Sequence, residues 1–124
     1  MKVHYVKFFK LIIMETTRQQ KVGRLIQKDL SDIFMHATGE ITQSKMVTIT
    51  VVRMSPDLSL AKVYLSIFPS GNTTQFLENL QHYIKHIRLE LGKKVRHQLR
   101  IVPEIAFFID DSLDYAERID DLLK

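Results

Sequence analysis

The sequence predicts a single α+β domain with the element order α-β-β-α-α-β, followed by a short C-terminal helix. Apolar residues recur at three- and four-residue spacing in three segments, as they do in amphipathic helices. In one segment they alternate with other residues, as in a strand with one buried face. The chain has 124 residues, 45% of them hydrophobic, which is enough for one core. No repeat, low-complexity segment or linker divides it.

Residues 1–13, MKVHYVKFFKLII, are predicted to be an N-terminal extension outside the fold, and residues 14–124 to form the folded domain. Lysines interrupt the apolar groups of this segment, so it lacks the long apolar region of a signal peptide. No stretch of the chain reaches the length of a membrane span. The alternative for residues 1–13 is a short interfacial anchor. Such an anchor needs a continuous polar helix face, which this segment lacks. We therefore expect no membrane partner.

The first predicted helix begins after Thr16 or Thr17, either of which can cap it, and ends near Thr38, before Gly39. Its apolar face consists of Val22, Leu25, Ile26, Leu30, Ile33 and Phe34. Most of the other face is basic, through Arg18, Lys21, Arg24 and Lys28. Such a stripe is most often a solvated helix face. It is a candidate binding face here because a second basic block lies elsewhere in the chain.

Residues 47–68 are predicted to form a hairpin of two strands. The first strand, VTITVV, is rich in β-branched residues. In the second strand, alternate positions are apolar at Ala61, Val63, Leu65 and Ile67, so one face of the sheet is buried. The turn between the strands contains Pro56, which has no backbone donor, and Asp57, which can bond back to the backbone.

The second half of the chain is predicted to contain a helix pair, a strand and a final helix. The helix pair runs from about Thr73 to Arg96, with Gly92 as a local weak point. The third strand runs from Ile101 to Ile109, and the last helix from Asp114 to Leu123.

The charge of the chain changes sign at Pro103. Residues 1–103 carry 16 Lys and Arg against 7 Asp and Glu, whereas residues 104–124 carry 2 against 7. Segregated positive charge attracts a polyanion to one place, and folded RNA is contacted mainly through its phosphates and shape. The predicted RNA-binding residues are therefore the four basic residues of the first helix and a denser block: Lys85, Arg88, Lys93, Lys94, Arg96 and Arg100. Whether the two groups adjoin is not decided by the sequence.

Catalytic and metal sites find little support in the residues. Glu78, His82 and His86 follow each other at four-residue intervals and could hold a metal ion on one helix face. The residues between the histidines lack the glutamate of a catalytic zinc motif, so no metal site is predicted. The acidic cluster at residues 110–114 is explained by a turn and an acidic helix start. The chain has no cysteine, which is compatible with a reducing cytoplasm, and no glycine-rich phosphate loop. We expect no catalytic residue, no cofactor and no small-molecule substrate.

Three motifs make the chain resemble the ribosome-binding factor A family, from about Met14 to Leu123. They are RLIQKDLSDI at residues 24–33, VRMSPDLSLAKVY at residues 52–64, and RIVPEIAFFIDDSLDY at residues 100–115. The resemblance implies a type-two KH-like domain and a monomeric cytoplasmic protein that is not an enzyme. It further implies binding to the free small (30S) ribosomal subunit, assistance in late maturation of 16S rRNA, especially at its 5′ end, and a link to growth in the cold.

One position departs from the family pattern. The family usually has Ala-x-Gly between its paired helices, whereas this chain has Tyr83-Ile84-Lys85. An alternative to ribosome binding is a protein-interaction adaptor, in which the acidic C-terminal helix docks on a basic partner and the basic face serves only solubility.

Overall fold

A computed structural model describes residues 15–110 of the chain. The elements are α1 (Thr17–His36), α2 (Gly39–Thr42), β1 (Met46–Met54), β2 (Leu60–Phe68), α3 (Thr73–His82), α4 (Ile84–Val95) and β3 (Glu104–Ile109). This confirms the predicted α-β-β-α-α-β order, to which the structure adds the single turn of α2. The predicted N-terminal extension at residues 1–13 and the predicted helix at residues 114–123 lie outside the described residues.

The three strands form one sheet in the order β1-β2-β3. The β1–β2 pair is antiparallel and joined by a tight turn, and a bulge between Ile49 and Val51 shifts its register. The β2–β3 pair is parallel, with Val63 opposite Phe107, so the chain must cross over between these strands. That crossover is the α3–α4 pair, which places α4 over the sheet.

One face of this sheet is buried under the helices. The predicted alternation in β2 is confirmed, because Ala61, Val63 and Leu65 are fully buried and Ile67 nearly so. They share one core with fully buried residues of the helices: Ile26 and Leu30 of α1, Phe76 and Leu80 of α3, and Ile87, Leu91 and Val95 of α4. Because the apolar face of each helix points at the sheet, the polar faces of α1 and α4 point to water. No helix within residues 15–110 is long and apolar enough to cross a membrane.

Helix α1 begins with a capping box at Thr16, one of the two residues predicted to cap it. The hydroxyl of Thr16 accepts a hydrogen bond from the Gln19 backbone N–H (3.1 Å), and the Gln19 side chain accepts one from the Thr16 N–H (2.9 Å). The predicted end near Thr38 is wrong by two residues, because Ala37 is extended and the helix stops at His36. Gly39 does not end this helix but begins α2.

The break between α3 and α4 lies at Tyr83, the first residue of the Tyr83-Ile84-Lys85 segment. Tyr83 has φ −96° and ψ 11°, a conformation open to any L-amino acid, so neither alanine nor glycine is required there. Its N–H donates to the carbonyl oxygen of Leu80 (3.1 Å), and its own carbonyl oxygen accepts from the Ile87 N–H (3.0 Å). The helices therefore meet in a sharp junction without a flexible residue.

The third strand begins at Glu104, not at Ile101 as predicted. Val102 and Pro103 precede it in a loop, where both of their carbonyl oxygens accept hydrogen bonds from the Arg88 side chain. Pro103 has no N–H to donate to a neighbouring strand. Ile101 is consequently left in solvent, with 78% of its surface exposed.

We expect Gly23→Ala to destabilise the fold, although alanine is normally better in a helix by about 1 kcal/mol. A Cβ atom at Gly23 would lie 2.7 Å from the carbonyl oxygen of Val52, so α1 and β1 would have to separate. Such overpacking costs about 1–3 kcal/mol. Thermal unfolding of the variant measures the loss. Gly92→Ala is the matched control, because its Cβ would meet only the Val102 side chain, at 3.1 Å. Equal losses in both variants would contradict this account.

A second expectation concerns the β1–β2 turn and pH. Asp57 Oδ1 accepts hydrogen bonds from the hydroxyls of Ser55 (2.7 Å) and Ser59 (2.7 Å) and from the Ser59 N–H (3.1 Å). These bonds, that of Ser55 foremost, lower the pKa of Asp57 from 3.8 to about 2. A carboxyl whose pKa is lowered by folding stabilises the fold above its unfolded pKa and loses that contribution as the pH falls through the folded value. We therefore expect Asp57→Asn to unfold at a temperature that falls less than that of the wild type between pH 4 and pH 2. Identical pH profiles would refute the assignment.

Candidate nucleic-acid interface

The two basic segments of the sequence are neighbours in the structure. Helices α1 and α4 pack against each other on the sheet. The end of α1 shares a pocket with α4, in which His36 lies with His86 of the first turn and Asp32 pairs with Lys94 of the last turn. The start of α1 shares another pocket with residues 98–101, which follow α4. The helices are therefore antiparallel, and their outer faces form one surface, the helical surface.

The outer face of α1 contributes three free cations to the helical surface. Lys21, Arg24 and Lys28 are exposed, on the side opposite the buried Ile26 and Leu30. No carboxylate within residues 15–110 forms an ion pair with any of the three. The first turn of α1 also contains no acidic residue. Within residues 15–110, no ion pair offsets the positive charge of this part of the surface.

The outer face of α4 is basic but partly compensated. Lys85, Lys93 and Arg96 are exposed there. Lys93 Nζ lies 3.2 Å from Glu90 Oε1, one turn away on the same helix. Arg96 Nε lies 3.2 Å from Nε2 of the neighbouring His97 and pairs with no carboxylate among the described residues. Lys85 and Arg96 thus extend the charged surface of α1, whereas Lys93 brings its own counter-charge.

Lys94 lies between the two helices, among acidic residues. Its Nζ atom donates to Asp32 Oδ2 of α1, and Asp29 and Glu90 are near enough to act on its charge. The hydrogen bond to Asp32 raises the pKa of Lys94 and, reciprocally, lowers the pKa of Asp32. The charge of Lys94 therefore serves mainly to join α1 to α4.

Arg88 points into the protein rather than away from it. This half-buried side chain donates from Nε to the Pro103 carbonyl oxygen (3.1 Å) and from Nη2 to the Val102 carbonyl oxygen (3.0 Å). A guanidinium can hold two such acceptors at once because its donors are fixed in a plane. Arg88 thus fastens the loop before β3 to α4.

The remaining two predicted residues, Arg18 and Arg100, come together at one end of the helical surface. Arg18 stands at the start of α1 and Arg100 in the segment after α4, and both line the same pocket. Of the ten predicted residues, the structure therefore places nine on an exposed surface and leaves Arg88 half-buried. One of the nine, Lys94, is paired with Asp32, so eight are exposed without joining separate parts of the fold.

Sequence reasoning missed two apolar side chains within this basic surface. Leu89 is 59% exposed and lies among the lysines of α4, and Ile101 is 78% exposed beside Arg100. The helical spacing could have identified Leu89, because it falls outside the buried row of Ile87, Leu91 and Val95. Ile101 had no such signal, because the predicted strand included it.

The structure separates the three residues that were considered for a metal ion. Helix α3 ends at His82, whereas His86 belongs to α4, so Glu78, His82 and His86 do not share one helix face. Within residues 15–110, no group of three or more His, Asp or Glu side chains could hold a metal ion.

Comparison with known proteins identifies the family. The family model for ribosome-binding factor A matches residues 18–123. The ribosome-binding factor A of Cytophaga hutchinsonii is 47% identical over 110 residues, which cover 89% of this chain and 83% of that protein. The chain belongs to the ribosome-binding factor A family. The Flavobacterium psychrophilum member is 45% identical over 114 residues, covering 89% of this chain and 85% of that protein.

Solved structures of ribosome-binding factor A share the fold. The crystal structure from Thermus thermophilus superimposes with a TM-score of 0.62 at 19% identity, covering 73% of this chain and 93% of that one. A homology model of the Thermus thermophilus protein, fitted into an electron microscopy map of a 30S complex, gives a TM-score of 0.55 at 20% identity, covering 70% and 89%. The predicted type-two KH-like fold is confirmed.

We expect Arg88→Ala to lower the free energy of unfolding by about 1.5–3 kcal/mol, the usual contribution of hydrogen bonds from a charged group. In a domain of this size that corresponds to a fall in Tm of at least about 6 °C. Arg88→Lys should retain only part of this free energy of unfolding, because an ammonium group lacks the planar pair of donors that binds two carbonyl oxygens at once. Lys85→Ala removes the same charge from the same helix and should leave Tm nearly unchanged. If both alanine variants melted alike, Arg88 would be an ordinary surface cation.

Proposed function

We propose that this chain binds the free small (30S) ribosomal subunit as a monomer and assists late maturation of 16S rRNA in the cytoplasm, without catalysing a reaction itself. The observation that carries the proposal is the exposed basic surface formed by two adjoining helices in a member of this family. The Thermus thermophilus ribosome-binding factor A, which shares the fold, has been fitted into a map of its 30S complex. We also propose that the binding domain comprises residues 14–124 and that residues 1–13 are dispensable.

The chemistry of the helical surface suits an RNA backbone. Lysine and arginine contact phosphates and position a protein on its RNA without reading individual bases. A cation without a carboxylate partner gains the most from a phosphate, because it has no ion pair to break before it binds. On that argument, the largest contributions come from Lys21, Arg24 and Lys28 of α1. Lys85 and Arg96, at the two ends of α4, add to them. Lys93 must share its charge with Glu90, and Lys94 must share its charge with Asp32.

The adaptor hypothesis rests on a different part of the chain. Its docking element is the predicted acidic helix at residues 114–123, which lies outside the described residues. An adaptor that binds through acidic residues would also bind less tightly as salt rises. The two functions therefore differ in which residues set the salt dependence, not in whether it exists.

Sedimentation of cell lysate through a sucrose gradient tests the proposed function directly. The chain should accompany free 30S subunits and be scarce on assembled ribosomes. Equal amounts on both particles, or retention at the top of the gradient at low salt, would contradict the proposal.

Two triple variants identify the phosphate contacts. Each phosphate contact releases counterions, so the logarithm of the affinity falls with the logarithm of salt concentration by about 0.7–0.9 for each contact. Lys21→Ala, Arg24→Ala and Lys28→Ala together should weaken 30S binding and flatten this slope by roughly two to three units. The matched triple Lys93→Ala, Lys94→Ala and Arg96→Ala removes the same charge. It should flatten the slope by only about one unit, because two of its lysines are already paired.

Filter binding to purified 30S subunits across a salt series provides these slopes. Circular dichroism of each variant establishes that it is folded. A larger loss in the α4 triple than in the α1 triple would show that the paired lysines are the main contacts. Unchanged slopes in both triples would exclude the helical surface.

A further inference from the structure

A small pocket opens at one end of the helical surface, where three segments of the chain meet. The start of α1, the turn between β1 and β2, and the segment after α4 enclose about 280 Å³. Two arginines, Arg18 and Arg100, line it together with apolar side chains, among them Leu58, Leu99 and Ile101. The pocket therefore combines positive charge with an apolar wall.

The two arginines of the pocket are available to a ligand. Both side chains are exposed, and neither forms an ion pair with an acidic residue within residues 15–110. The one carboxylate that lines the pocket, Asp57, already accepts hydrogen bonds from Ser55 and Ser59. With two arginines against one aspartate, the pocket favours an anionic group.

One residue of the apolar wall, Leu58, has a strained backbone conformation. Leu58 has φ +62°, a left-handed conformation that glycine or asparagine adopts far more readily than leucine. The surrounding structure fixes this conformation, because Leu58 packs partly against the hydrophobic core. Ile101 stands beside it with 78% of its surface in water. The wall thus offers apolar area that the free protein leaves uncovered.

We propose that this pocket receives one unstacked nucleotide of the bound RNA. The base would lie against Leu58 and Ile101, and its flanking phosphates would bind Arg18 and Arg100. The inference rests on the proposed function, because it extends the same RNA surface. Folded RNA offers such groups at bulges and strand ends, where bases leave the stack and can be bound singly.

Size and continuity favour a nucleotide over a peptide. A peptide helix or strand requires an elongated groove with several side-chain pockets, whereas this pocket has room for one planar group. Arg18 is followed one turn later on α1 by Lys21, so an RNA backbone on the helical surface reaches the pocket without interruption.

Two RNA hairpins test the inference, one with a single bulged nucleotide and one fully paired. The wild-type protein should bind the bulged hairpin about fivefold more tightly, the factor expected when a base buries roughly 40 Å² of apolar surface. With 2-aminopurine as the bulged base, binding should also change its fluorescence. Ile101→Ser should abolish the preference while leaving affinity for the paired hairpin unchanged.

Met35→Ser is the matched control. Met35 is also 78% exposed, but it lies near the far end of α1 and does not line the pocket. It should keep the preference for the bulged hairpin. Replacing Arg18 and Arg100 together by alanine should weaken binding to the bulged hairpin more than to the paired one.

The outcomes separate this inference from the proposed function. A wild-type protein that binds 30S subunits but shows no preference for the bulged hairpin overturns the pocket and leaves the proposed function standing. So does a preference that survives in Ile101→Ser. If Ile101→Ser weakens binding to 30S subunits but not to protein-free 16S rRNA, a ribosomal protein occupies the pocket and the inference is wrong. A wild-type protein that binds neither subunits nor hairpins overturns both.

Discussion

Burial of one face of a three-stranded sheet is the constraint on which the rest of this structure depends. The inward side chains of β2 cannot be left in water, because each apolar side chain so exposed would forgo about 1.5–3 kcal/mol. Helices α1 and α4 cover that face, and α1 comes so close to β1 that only glycine fits at residue 23. The requirement is hydrophobic, but its consequence is electrostatic, because the polar faces of both helices are turned outward side by side.

The basic residues of the chain have two different tasks, and the acceptors within reach of each side chain decide between them. Half-buried Arg88 donates to the carbonyl oxygens of Val102 and Pro103, and exposed Lys94 pairs with Asp32 of α1. No carboxylate within residues 15–110 forms an ion pair with Lys21, Arg24 or Lys28. A count of positive charges therefore overstates the number of cations that a polyanion can use.

Stability and binding are linked through Arg88. The loop that this arginine fastens continues directly into Arg100 and Ile101, the two residues that form one side of the pocket. Because the guanidinium holds the carbonyl oxygens of Val102 and Pro103, the preceding residues are presented to solvent in a fixed position. In the proposed pocket, an inward-facing arginine would aid binding without contacting the ligand, since it reduces the entropy lost when the loop is ordered.

The sequence alone determined what depends on neighbours along the chain. The alternation in β2, the helical spacing of apolar residues and the capping Thr16 each arise from residues within a few positions of one another, and each was predicted correctly. The three motifs that mark the family are equally local.

The tertiary structure decided what depends on distant residues. A lysine reads the same in sequence whether or not an aspartate 62 positions away pairs with it, as Asp32 does with Lys94. The late start of β3 depends on a side chain of α4, and the break at Tyr83 separates His82 from His86. The pocket consists of three segments that only folding brings together. Periodicity indicates which face of a helix or strand is buried, but not which other element packs against it. That packing determines which charged side chains stay unpaired and available to a ligand.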